Sequence, residues 1–144
     1  MSQTRPALTI ERNDYRRPLL WLSIVNVLMV LVMAILGGRF FVSPSIIDVH
    51  GYIGNFVFLL FIAQAGLLVM SKPGGPLGKV LIGLAALSVL LVIGQIGLGY
   101  SGRESATALS LHIPNGVLIF GISAAILAQL PHAKPSAQPA GTPA

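Results

Sequence analysis

Four uncharged apolar stretches constrain this chain more than anything else in it. Leu19–Leu36, Gly51–Met70, Val80–Tyr100 and Ala106–Leu130 contain no Asp, Glu, Lys or Arg. Each is close to the ~20 residues an α-helix needs to cross a bilayer, whereas an outer-membrane barrel would show ~10-residue alternating segments. The composition agrees: 54% of the 144 residues are apolar and 9% are charged, against about 25% charged in a soluble domain. The fold class expected is all-α, an integral membrane four-helix bundle over residues 19–130. A basic N-terminal tail (1–18) precedes it. A Pro- and Ala-rich tail (131–144), expected to be disordered, follows it.

Charge orients the expected helices. Arg5, Arg12, Arg16 and Arg17 precede the first stretch, Lys72 and Lys79 lie between the second and third, and Lys134 follows the fourth. In a four-helix chain these segments share one side, and only Arg39 and Arg103 fall on the other. The positive-inside rule then predicts a multi-pass protein of a cell inner membrane with both termini cytoplasmic. The net charge of +5 is accounted for by this bias and requires no nucleic acid. The first stretch exceeds the ~7–15-residue core of a signal peptide and lacks a small-x-small cleavage site, so it reads as an uncleaved helix. No cysteine is present, which excludes disulfides, thiolate-held iron–sulfur centres and c-type haem attachment.

Two histidines stand out because an imidazole facing hydrocarbon is costly, which makes an intramembrane ionisable residue a candidate functional group. They sit in an internal repeat offset by 62 residues. Leu36-Gly37 recurs as Leu98-Gly99, and thirteen residues after each Gly come His50 and His112. Gly54 and Gly116 follow four residues later, then Phe58 and Phe120. Each half reads as a helical hairpin, and the two hairpins as parallel repeats about an axis along the membrane normal. The histidines then lie at similar depth near the outer face. Paired neutral imidazoles are the usual ligands of a haem iron between helices. A glycine one turn from each His leaves a hollow for a flat macrocycle, although small residues also serve helix packing.

Other polar residues fit such a site without defining it. Tyr52, Asn55 and Asn115 lie within a turn of the histidines and could fix a tautomer; for Asn115, after Pro114, local capping explains it equally. Interhelical hydrogen bonds are the simpler account of Asn26, Gln64, Gln95 and Gln129. Arg39 and Arg103, one per outer loop, could pair with haem propionates or snorkel to the interface. They are two positions out of repeat register. His132 reads as a solvated surface residue.

A four-helix unit with one His on its second helix and another on its fourth, a little over sixty residues apart, resembles one half of haem A synthase. Gln95-Ile-Gly-Leu-Gly99 followed by Leu109-Ser-Leu-His112 is similar to that family's approach to a ligand histidine. Leu111–Gly116 also resembles a family of small bacterial four-helix membrane proteins. The resemblance covers roughly Leu19–Leu130. The chain departs from the synthase in having four helices rather than eight and no outer-loop cysteines. Ile47 stands where the family has a functional glutamate, and His50-Gly51 replaces a His-Arg pair. What the resemblance implies is therefore a haem b pocket with His50 and His112 as axial ligands, without the family's haem-modifying chemistry.

The function expected is a b-type cytochrome-like protein that transfers electrons or handles haem at the outer face. Its cofactor-binding residues are His50, His112, Gly54, Gly116, Arg39 and Arg103, and it would not be an enzyme on its own. A haem near one surface would need a quinol in the bilayer or an outer-face redox partner. The alternative is a cofactor-free accessory or scaffold subunit, and both readings leave self-association or a larger membrane complex open. Uncharged spans argue against an ion-coupled transporter, and two histidines are too few for a zinc site.

Overall fold

A helix that is apolar all round has no face for water and must be covered by protein or lipid. The structure, a computed structural model, describes residues 8–135 and contains four such helices. They are α1 (Arg16–Phe40), α2 (Ile46–Met70), α3 (Pro76–Ser101) and α4 (Ala106–Gln129). With 24 to 26 residues, each is about 36–39 Å long at ~1.5 Å per residue, enough for a ~30 Å hydrocarbon core. Every helix contains an 18-residue window of mean hydropathy between 1.8 and 2.7, yet only 17–22% of each window is buried inside the chain. Trp21, Ile35, Phe56, Leu90 and Val117 are among the large apolar side chains turned outward. The all-α four-helix expectation holds, and all four helices are long and apolar enough to cross a membrane.

Helices α1, α2 and α3 outrun the apolar stretches that announced them, because helical hydrogen bonding continues after hydropathy falls. Helix α1 starts at Arg16, with Pro18 inside the first turn, where a missing N–H costs nothing. Helix α2 starts at Ile46 with Asp48 in its first turn, favourable to the helix dipole. Helix α3 opens on Pro76 behind Gly75, whose φ of 78° is left-handed and suits glycine alone without strain. Short loops leave sequence neighbours antiparallel. Each helix packs on the one before and after it, and α1 also packs on α4. The ring is closed, with α2 and α4 on a diagonal.

Two apolar clusters fill the interior. One gathers Leu19, Leu68, Leu81, Ala85, Ile122 and Ile126 toward the termini. The other joins Val57, Phe61, Val92 and Ile119. Between them Ser23, Asn26 and Gln64 are fully buried or nearly so. The Asn26 Nδ2 donates to Gln64 Oε1 at 2.5 Å, and Gln64 Nε2 donates to the Ser23 hydroxyl at 2.7 Å. This is the interhelical bonding expected of these amides.

The terminal segments hold more structure than their composition suggested. Strand β1 (Thr9–Ile10) pairs antiparallel with β2 (Pro73–Gly74) in the α2–α3 loop and parallel with β3 (Lys134–Pro135). The tail predicted to be disordered from Pro131 is thus ordered through Pro135. A short 3-10 turn over Leu130–His132 leads into β3. The reason is burial: Leu8, Ile10, Leu130 and Ala133 enter the cluster at this end. Backbone bonds add to it, with Lys134 N donating to the Leu8 carbonyl at 3.2 Å and Arg12 N to Ser71 at 3.3 Å. His132 is exposed, as expected. Arg5 and residues 136–144 lie outside the described residues. This three-stranded clasp holds residues 9–10 and 134–135 against the α2–α3 loop at one end, leaving the α1–α2 and α3–α4 loops at the other.

Candidate functional site

Both histidines start near the end opposite the clasp. His50 is in the second turn of α2 and His112 in the second turn of α4, on diagonally opposed helices. Their rings face each other with centroids 6.1 Å apart and planes inclined by 56°. They share one cavity of about 510 Å³, walled by all four helices. Its lining is overwhelmingly apolar and rich in glycine, with His50, His112, Gly54, Gly116 and Arg103 all contributing.

Glycines hold the rings in place by their lack of a side chain. A Cβ on Gly37 would lie 3.4 Å from His50 Cε1, and one on Gly99 would lie 3.1 Å from His112 Cε1. The hollows at Gly54 and Gly116 are real but already used: a Cβ there would stand 3.1 Å from Met33 Cε and 3.1 Å from Gln95 Nε2, respectively. Side chains from α1 and α3 therefore lie where sequence spacing suggested room for a macrocycle. Both are unbranched and can turn aside.

His112 is tightly bonded. Its Nδ1–H donates to the Gln95 carbonyl at 3.0 Å, and its Nε2 accepts from Gln95 Nε2 at 3.2 Å. This fixes the tautomer, with the Nε2 lone pair as the acceptor. Asn115 Nδ2 donates to Gln95 Oε1 at 2.6 Å and to the Leu91 carbonyl at 3.0 Å. Asn115 is thus an α3–α4 tie rather than a cap, since α4 runs unbroken through Pro114. At His50 the corresponding bond is missing: its Nδ1 is buried without a hydrogen-bond partner.

Arg103 reaches the cavity and Arg39 does not. The Arg103 guanidinium lies 3.6 Å from where a Gly51 Cβ would stand, 5.3 Å from the Tyr100 ring centre and 3.8 Å from Asp48 Oδ1. Asn55 Nδ2 donates to the Tyr100 hydroxyl at 3.4 Å. Arg39 is exposed and absent from the lining. Its two-residue displacement from the position matching Arg103 turns it about 200° around the helix, and Phe41 lines the cavity instead. Tyr52 also points away, 77% exposed.

All lining residues except Leu31 and Phe120 fall into pairs 62 positions apart, among them Val30 with Val92 and Ile47 with Leu109. Where the pairs differ, one wall becomes polar. Asn55 on α2, Tyr100 in the last turn of α3 and Arg103 in the loop beyond it are matched by Val117 on α4, Gly38 in the last turn of α1 and Phe41 just past its end. Met33 and Gln95, which sequence reasoning did not assign to the site, are such a pair. Their signal was legible: each precedes the repeated glycine by four residues, one helical turn. Among the described residues no three His, Cys, Asp or Glu side chains group to hold a bare metal ion. No protein-family model, curated protein or solved structure matches this chain.

Proposed function

We propose that the chain is a multi-pass inner-membrane protein that binds one b-type haem between His50 and His112, near the outer face, for electron transfer or haem handling. The observation that carries this reading is the pair of imidazoles facing each other across a glycine-walled cavity. Two imidazoles on opposite sides of one iron, each bonded at ~2.0 Å, put their ring centres about 6 Å apart; these lie 6.1 Å apart. The cavity volume of about 510 Å³ is within the ~300–1,000 Å³ of cofactor pockets. The donor set fits as well: two imidazoles on opposed helices, with no carboxylate or thiol in the cavity lining. Bound there, haem would supply a one-electron couple, with both axial positions filled by protein.

The paired lining supports a bundle of two parallel hairpin repeats, with the cavity on the axis between them. The polar wall gives that pocket a direction. Arg103, Asn55 and Tyr100 would receive the carboxylates of the macrocycle, Arg103 by charge-assisted hydrogen bonds, while Phe41 and Val117 would face its apolar edge. The basic residues of the clasp end support a cytoplasmic location for both termini, with the site toward the opposite face. Quinol in the bilayer or an outer-face redox protein would be the exchange partner. One observation favours the cofactor-free alternative, an accessory or scaffold subunit: Gln95 already satisfies His112 Nε2.

Cofactor content decides between them. Protein purified in detergent from haem-replete cells is expected to yield one haem b per chain by the pyridine haemochrome assay. A colourless, monodisperse preparation would overturn the haem reading in favour of the alternative.

A further inference from the structure

The two imidazoles face one cavity but are held by different means. On His112, the Gln95 carbonyl takes the Nδ1 proton and the Gln95 amide sits on Nε2. Asn115 in turn grips that amide and the α3 backbone. Ring, tautomer and helix spacing on this side are fixed together. At the position 62 residues earlier stands Met33, whose thioether has no N–H to give. No side chain on α2 matches Asn115 either, since Ile53 stands at the corresponding place. The Met33 carbonyl approaches His50 as the Gln95 carbonyl approaches His112, but it falls short of full hydrogen-bond geometry, so this side keeps only the weaker backbone contact.

We infer that His112 is the permanent axial ligand and His50 the exchangeable one, with Gln95 the positioning residue that separates their roles. This rests on the haem reading above and goes beyond it. A site with two equivalent imidazoles only passes electrons, whereas one with a releasable imidazole also opens a coordination position to a small neutral ligand. Hydrogen-bonded partners behind a ligand histidine are worth roughly 10–100-fold in metal affinity. That difference favours release on the His50 side. Gly37 leaves the His50 ring slightly more space than Gly99 leaves His112, since an added Cβ would stand 3.4 Å from Cε1 on the first side and 3.1 Å on the second. On the His112 side, haem binding would displace the Gln95 amide from Nε2, while the Nδ1–H bond to the Gln95 carbonyl lies behind the ring and would be kept.

The test compares haem content and carbon monoxide binding in wild type, His50→Ala, His112→Ala and Gln95→Met, with helicity and elution volume as folding controls. His50→Ala is expected to keep most of its haem, to bind carbon monoxide faster than wild type, and to regain a six-coordinate spectrum on adding imidazole. His112→Ala is expected to retain about tenfold less haem than His50→Ala. Gln95→Met, which makes the halves alike at this position, should by itself speed haem loss to an apoprotein acceptor and, combined with each histidine variant in turn, should narrow that gap. Equal haem retention in the two histidine variants would overturn the inequality while leaving the haem reading intact. So would a Gln95→Met protein indistinguishable from wild type in loss rate and spectrum. A colourless wild type would overturn both.

Discussion

Gly99→Leu is expected to empty the site without unfolding the bundle. A Cβ there would already stand 3.1 Å from His112 Cε1 and 3.4 Å from its Nδ1, so the longer side chain must drive the imidazole off the α3 backbone. That breaks the Nδ1–H bond to the Gln95 carbonyl and removes the ring from its place opposite His50. Loss of such a partner together with the ligand's position should lower haem content by at least tenfold. The helix itself is not weakened, because Gly99 stands in the last turn of α3 and leucine has a higher helix propensity than glycine. Gly83→Leu is the matched control, since a Cβ at Gly83 meets nothing within 4 Å. Circular dichroism should show both variants folded, and the haemochrome assay should separate them. Retention of wild-type haem by Gly99→Leu would remove the packing of His112 on Gly99 from the account.

Gln64→Leu is expected to cost the fold what Gly99→Leu does not. It deletes the Asn26 Nδ2 bond to Gln64 Oε1 and the Gln64 Nε2 bond to the Ser23 hydroxyl, and leaves Asn26 with only a 3.5 Å approach to the Leu60 carbonyl. The Asn26 Oδ1 is already buried without a partner, so the variant strands most of an amide between two apolar clusters. Interhelical hydrogen bonds in membranes are worth about 0.6–2 kcal/mol each, which puts the expected loss of the two near 1–4 kcal/mol. Asn26→Leu in the same chain should return much of it, because removing both partners leaves no orphaned polar group. Thermal unfolding in detergent of the single and double variants measures this coupling. Additive losses would show that Asn26 and Gln64 do not act as a pair.

The chemistry of the spans was written in the sequence, while their ends and the site's inner partners were less so. Four uncharged stretches were enough for the four helices, because hydropathy reports which segments cannot be left in water. It does not report where backbone hydrogen bonding stops, so α1 continues to Phe40 and α2 begins at Ile46. The Gly-(x12)-His frame led to the juxtaposed rings, since Gly37 and Gly99 give those rings their space. Gln95 is legible as an interhelical hydrogen-bonding residue but not as the partner of His112, and Met33 does not stand out at all, because the two positions are not identical in the two halves. Their shared role is positional, set by a helical turn before each glycine. Arg103 and Arg39 are lone cations at matching ends of the sequence repeat, but Arg39 lies in the last turn of α1 facing outward while Arg103 lies in the loop beyond α3 and reaches the cavity. Ile10, Leu130 and Ala133 are too few and too scattered to announce a core, and they become one only when β1 and β3 pair at the clasp.

The central claim is that the imidazoles of His50 and His112 share one iron. Electron paramagnetic resonance of the oxidised, purified wild-type protein at low temperature tests it most directly. The account predicts a low-spin ferric signal of the bis-imidazole kind, replaced by a high-spin signal in His50→Ala. A high-spin wild-type spectrum, or a low-spin signal that survives in the His50→Ala/His112→Ala double variant, would contradict it.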